Sequence, residues 1–174
     1  MKVLVINCGS SSVKFKVFEM PEELLLAEGN VEKIGEETGL FSYTKGSKQL
    51  FYRKKVDVKT HNEALSLIAD TLVDEKEGII KDVKEIKGVG HRVVHGGEGF
   101  DRSVVITDEI IKKIEEYQSL APLHNPHNLS GIRAAMRFFP DSLQVAAFDT
   151  AFHTTTRLLP IFMPYRMSFM RSTG

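Results

Sequence analysis

Apolar and polar residues alternate with period two at the start of the chain. Residues 2–8 are a short β-branched run and residues 13–18 read Val, Lys, Phe, Lys, Val, Phe, which predicts two strands joined by a turn at Gly9-Ser10-Ser11-Ser12. Residues 24–34 and 40–56 carry more strand-like text, punctuated by turn chemistry at Gly35, Gly39 and Lys45-Gly46, so the first part of the chain reads as consecutive antiparallel strands. From His61 the period lengthens. Ala64, Leu65, Leu67, Ile68, Leu72 and Val73 fall at helical spacings behind Thr60, an N-cap with Glu63 at the capping-box position. Residues 86–94 predict a strand, and Thr107-Asp108-Glu109 opens a helix striped by Ile110, Ile111 and Ile114. Asn125-Pro126 starts another helix, with Leu129, Ile132, Ala135, Met136 and Phe139 on one face and Pro140 as its stop. Residues 143–148 are the last predicted strand. Strands first and helix–strand alternation afterwards predict an α/β domain whose mixed sheet has antiparallel first strands and flanking helices.

Composition narrows the picture. The chain has 174 residues, 42% of them hydrophobic, which excludes disorder and is enough to bury a core. Lys and Arg number 23 against 23 Asp and Glu, so the molecule lacks the net field of a non-specific nucleic-acid or anionic-membrane binder. No apolar run approaches the roughly 20 residues of a membrane span, and the apolar stretch at 3–6 is shorter than the roughly 7–15 residues of a secretory core. The single cysteine, Cys8, cannot form an internal disulfide and is expected to pack as a small hydrophobe. The expectation is a cytoplasmic protein without nucleic-acid or membrane partners.

Four segments carry candidate chemistry. Residues 7–14, Asn-Cys-Gly-Ser-Ser-Ser-Val-Lys, put backbone N–H groups, three hydroxyls, an amide and the Lys14 ammonium within one tight turn, an arrangement that cradles phosphate. It does not match the P-loop pattern, and an ordinary Ser-rich hairpin turn is the alternative. Residues 91–97, His-Arg-Val-Val-His-Gly-Gly, set Arg92 at a strand end, where its N–H fork suits a carboxylate or phosphate. His91 and His95 also raise a metal reading, which lacks a Cys or carboxylate at ligand spacing. Residues 123–128, Leu-His-Asn-Pro-His-Asn, open a helix whose unpaired N–H groups favour an anion, or else Asn125 is only a cap. Residues 148–153 place Asp149 at the carboxyl end of a strand, a position suited to metal or catalytic work and equally open to a simple strand terminator. Together the four favour phosphoryl transfer.

At these residues the sequence resembles the acetate kinase family. Residues 7–14 look like its N-x-G-S-S-S-x-K signature, residues 91–97 like its H-R-V-V-H-G-G segment, and LAPLHNP at 120–126 and AFDTAFH at 147–153 match in order and spacing. The similarity runs to about residue 155. It implies a ribonuclease-H-like, actin-like ATPase domain that packs against a second such domain, with the active site between them. It also implies reversible, ATP/ADP-dependent phosphorylation of acetate to acetyl phosphate with Mg²⁺ (or Mn²⁺), and a homodimer at full length. Carried over by position, Asn7 stands on the metal side and Ser10, Ser12 and Lys14 bind phosphate. Arg92 binds the substrate carboxylate or the transferring phosphoryl group, Val94 and Leu123 line the pocket for the acetate methyl, and His124 lies near the substrate. Asp149 is the catalytic acidic residue. A propionate or other short-chain carboxylate kinase, and a non-catalytic anion-binding fragment, are the competing readings.

The resemblance breaks near the end. Residues 1–155 read as the family's N-terminal domain, whereas 156–174 form an aberrant tail. Where text such as A-Y-L-Y-A-I-P-Y-E-F-Y-E-K-Y-G is expected, the chain reads PIFMPYRMSFMRSTG. Back-translated with permitted codons and regrouped from the third base of the Pro160 codon, residues 160–174 yield Y-L-Y-A-I-P-Y-E-F-Y-E-K-Y-G. The Met163 codon, which has no synonym, supplies the G that opens the recovered Ala codon. The expectation is a frameshift near residues 155–159, an isolated chain that is nearly inactive, and a tail whose apolar residues promote self-association. Coding DNA that cannot regroup in this way would rule the frameshift out.

Overall fold

The period-two run at 13–18 is realised as a strand with Val13, Phe15 and Val17 buried and the lysines between them exposed. A computed structural model of the chain describes residues 1–94, 100, 102–117 and 125–149. Its strands are β1 (Lys2–Cys8), β2 (Ser12–Glu19), β3 (Leu24–Glu32), β4 (Gly39–Lys45), β5 (Lys48–Val56), β6 (Ile86–Val93), β7 (Val104–Val105) and β8 (Leu143–Phe148). They form one sheet in the order β5-β4-β3-β2-β1-β6-β8-β7. The first five pair antiparallel in sequence order, as the turn chemistry predicted. β6 then runs parallel to β1, and β8 parallel to β6. A parallel pair needs a crossover, and the helical text at 61–73 and 125–138 supplies it. The two-residue β7, antiparallel to β8, was not legible in the hydrophobic pattern.

Parallel pairing has one consequence for the site: the carboxyl ends of β1, β6 and β8 finish side by side along one rim of the sheet.

The helices are α1 (His61–Val73), α2 (Asp108–Glu116) and α3 (Asn125–Phe138). Thr60 caps α1, its side chain accepting from the Glu63 N–H at 3.2 Å, while the Glu63 carboxylate reaches back to the Lys59 N–H at 2.7 Å. Thr107 caps α2 in the same manner, accepting from the Ile110 N–H. Leu4, Ile6 and Cys8 of β1 join Phe15, Leu65, Ile68, Leu72 and Phe139 in the larger core, and Val93, Ile114, Leu129, Ile132 and Phe148 make a second one under α2 and α3. The alternate residues of the central strands, among them Val5, Lys14, Lys16 and Arg92, are exposed on the other face. Among the described residues no helix is long and apolar enough to cross a membrane.

Candidate functional site

The turn between β1 and β2 begins where the ladder ends, at the Cys8–Val13 pair. The Gly9 N–H donates to the Ser12 carbonyl at 2.8 Å, closing the turn, and the Ser11 carbonyl accepts from Ile34 N–H at 3.0 Å. Two further carbonyls are held by side chains. Asn128 Nδ2 of α3 donates to the Cys8 carbonyl at 2.7 Å, and His61 Nε2, at the start of α1, lies 2.7 Å from the Gly9 carbonyl and donates to it. None of the described hydrogen bonds uses the N–H of Ser10 or Ser11 or the three serine hydroxyls. Ser10 and Ser11 are exposed and Ser12 is half-buried.

Cys8 is buried, and desolvation pushes its thiol up to about 12, so it is unreactive packing at this site.

Arg92 and Asp149 meet at the ends of the neighbouring strands β6 and β8. Arg92 Nε lies 2.9 Å from Oδ1 and 3.1 Å from Oδ2 of Asp149, and Nη2 lies 2.7 Å from Oδ2, a forked, charge-assisted pair. Hydrogen bonding to Asp149 and its charge hold the guanidinium further above its ordinary range. Both side chains keep more than a third of their surface exposed, so water screens the attraction and the pair is traded at little cost. His91, one residue earlier, points the other way into the core, where its Nε2 is 2.8 Å from Gln144 Oε1. Burial pulls its pKa down to about 4, so the ring is neutral near pH 7. That placement removes His91 from the metal reading, and His95 lies outside the described residues.

Asn7, Gly9, Ser12, Lys14, Arg92 and Val94 surround one cleft of about 290 Å³ at the rim. A larger depression of about 510 Å³ continues from Asn7 and Lys14 across β2–β4. It is lined by the Lys16–Glu28 ion pair at 3.0 Å and does not include Arg92, so the smaller cleft is where Asn7, Ser12, Lys14 and Arg92 converge. Among the described residues no three His, Cys, Asp or Glu cluster as a metal cage. The Asp149 carboxylate and, two strands away, the Asn7 amide are a donor set that suits a largely hydrated magnesium rather than an all-protein site.

The sequence matches the Acetokinase family profile over residues 2–164. The chain belongs to the acetokinase family. Similar relatives include the acetate kinase of Thermotoga maritima, 53% identical over 155 residues, and that of Halothermothrix orenii, 49% identical over 157. These matches take in 89% of this chain and 38% and 39% of the relatives, so the chain spans about two fifths of their length. Among solved structures, Porphyromonas gingivalis acetate kinase superposes with a TM-score of 0.83 at 46% identity, over 94% of this chain and 41% of that one. A propionate kinase from Francisella tularensis gives 0.78 at 36% identity, with the same coverage. The acetokinase fold is therefore the actin-like one that the resemblance implied.

Of the acetokinase-like positions, Asn7, Ser12, Lys14, Arg92 and Val94 converge on the cleft, Asp149 joins through Arg92, and Ser10 sits exposed on the turn above it. Leu123 and His124 lie outside the described residues, as does the tail at 156–174. His61 and Asn128 were missed as contacts to the turn. Each sits in the first turn of its helix, which signals no partner, and the carbonyls they hold are 52 and 120 residues away.

Proposed function

We propose that this cleft is the substrate-binding wall of an acetate kinase. The observation that supports the reading is the convergence of Asn7, Ser12, Lys14 and Arg92, from three separate strands, on one rim beside Asp149. An aliphatic carboxyl with a pKa of roughly 4–5 is already ionised near pH 7, so the nucleophile needs no general base. The work left is positioning and charge neutralisation in an in-line transfer. Arg92 presents its fork to the carboxylate or the transferring phosphoryl group, exchanging part of its bond to Asp149. The turn donors and Lys14 hold phosphate oxygens, and Val94 packs on the acetate methyl. Asp149 and Asn7 would orient a magnesium ion or its water, which would supply charge neutralisation to the phosphate oxygens. ATP or ADP is the phosphoryl partner, and a homodimer at the relatives' length belongs to the same proposal.

The experiment is a chimera in which residues 1–155 replace the matching segment of the Thermotoga maritima relative. It should phosphorylate acetate, and Arg92→Ala in it should lower turnover by about three orders of magnitude. Near-normal turnover of that variant would sink the assignment. The match to a propionate kinase keeps a longer acid in play: one methylene is worth only about 1–3 kcal/mol, and competition between acetate and propionate in the chimera separates the two.

A further inference from the structure

The 9–12 turn is held from behind. Asn128 is buried, and both ends of its amide are used: Nδ2 donates to the Cys8 carbonyl at 2.7 Å, and Oδ1 accepts from Val94 N–H at 3.2 Å. One side chain of α3 thus ties the last residue of β1, next to the turn, to the first residue after β6, two positions beyond Arg92. Such proximity needs the helix to lie close to β1. It does so at Gly131, one turn further along α3, where a Cβ would sit 2.2 Å from Cys8 Sγ. His61 holds the adjoining carbonyl, Gly9, at 2.7 Å, and its ring stacks on His127 of α3 with centroids 5.4 Å apart and planes 26° apart. Two successive carbonyls, Cys8 and Gly9, are therefore occupied by donors from the core side. Rotation of either peptide would leave a buried Asn128 or His61 donor unpaired, a cost that opposes it.

We propose that Asn128 and His61 are positioning residues for anion binding. They fix the Cys8 and Gly9 peptides so that the turn's own donors face the cleft before any ligand arrives, and Asn128 keeps the turn in register with Val94 and Arg92. The proposal rests on the anion-binding reading of this cleft. Preorganisation of this kind raises affinity by removing the ordering cost that a free turn must meet at binding.

The test is titration of the 174-residue chain with inorganic phosphate, followed by the amide resonances of residues 9–12 in ¹H–¹⁵N spectra. Thermal midpoints are recorded in parallel. In the wild-type chain these resonances should shift saturably. Asn128→Asp keeps the acceptor for Val94 and removes the donor to Cys8; it should weaken phosphate binding by about tenfold in a chain that still melts cooperatively. His61→Phe keeps the ring stack without the donor and should weaken binding several-fold. His61→Gln restores an N–H and should return affinity to within about twofold of wild type. A purely structural role predicts that affinity follows the thermal midpoint and that Gln does no better than Phe. Either of those results, or folded variants that bind as the wild type does, overturns the proposal. Absence of shifts in the wild-type turn overturns the anion reading itself and this inference with it. If Asn128→Asp does not fold, the His61 pair decides.

Discussion

The 9–12 turn and the Arg92–Asp149 pair sit at neighbouring strand ends, yet they are held by opposite means. The turn is anchored by hydrogen bonds from buried side chains of α1 and α3 that occupy its carbonyls. Among the described residues the pair is anchored only by itself, in an exposed fork between two charged side chains. A neutral bond in the core resists exchange because either partner, once released, is left unpaired away from water. An exposed ion pair exchanges readily because water and salt take over each partner at little cost. On the proposed reading, a site that accepts and releases an anion gains from both: a rigid frame of donors, and a cation able to change partners.

The largest effect expected from breaking this contrast lies on its buried side. His91 is neutral in the fold with a pKa near 4, below the ordinary 6.5 of the unfolded chain. A depressed histidine costs nothing above pH 6.5, and stability falls as the pH drops toward 4 because only the unfolded chain takes up the proton. The full loss is about 3 kcal/mol, read from urea unfolding across that range. His91→Gln should flatten the slope between pH 6.5 and 5. An unchanged slope would place the acid sensitivity elsewhere.

Gly131→Ala comes next, since the new methyl meets Cys8 Sγ and pushes α3 away from β1. A loss of about 2 kcal/mol is expected in urea unfolding, partly recovered by adding Cys8→Ala. Additive losses in the double variant would mean that the two residues do not share this contact.

Asp149→Asn is the smallest in stability and tests the exposed side. Removing a screened surface pair should change unfolding by less than about 1 kcal/mol. Calorimetric titration with phosphate should show binding tightened by about threefold, because Arg92 no longer has a competing carboxylate. Weaker binding in this variant would show that Asp149 does not compete for the cation.

What could be read from the chain is what local physics controls. Period two at 13–18, the Thr60 and Thr107 caps and the stop at Pro140 each depend on residues a few positions apart, and the elements formed where they pointed. The four chemical segments were legible for the same reason: each is a short run of special residues at an element's end. The links between them were not. Arg92 and Asp149 are 57 residues apart, and they meet only because β8 pairs parallel to β6. The turn's anchors were invisible in a pattern that marks Asn as a cap and His as an ambiguous polar residue.

The sequence by itself determined the elements, the alternation that sends His91 inward and Arg92 outward, and the inventory of polar groups at the element ends. Those follow from backbone geometry that repeats within a few residues. Only the tertiary structure decided that the ends of β1, β6 and β8 share a rim and that Arg92 is taken by Asp149. It also decided that two helix side chains hold the turn from the core. Strand order and helix docking come from burying one continuous apolar face, a global requirement that no short window of residues can express.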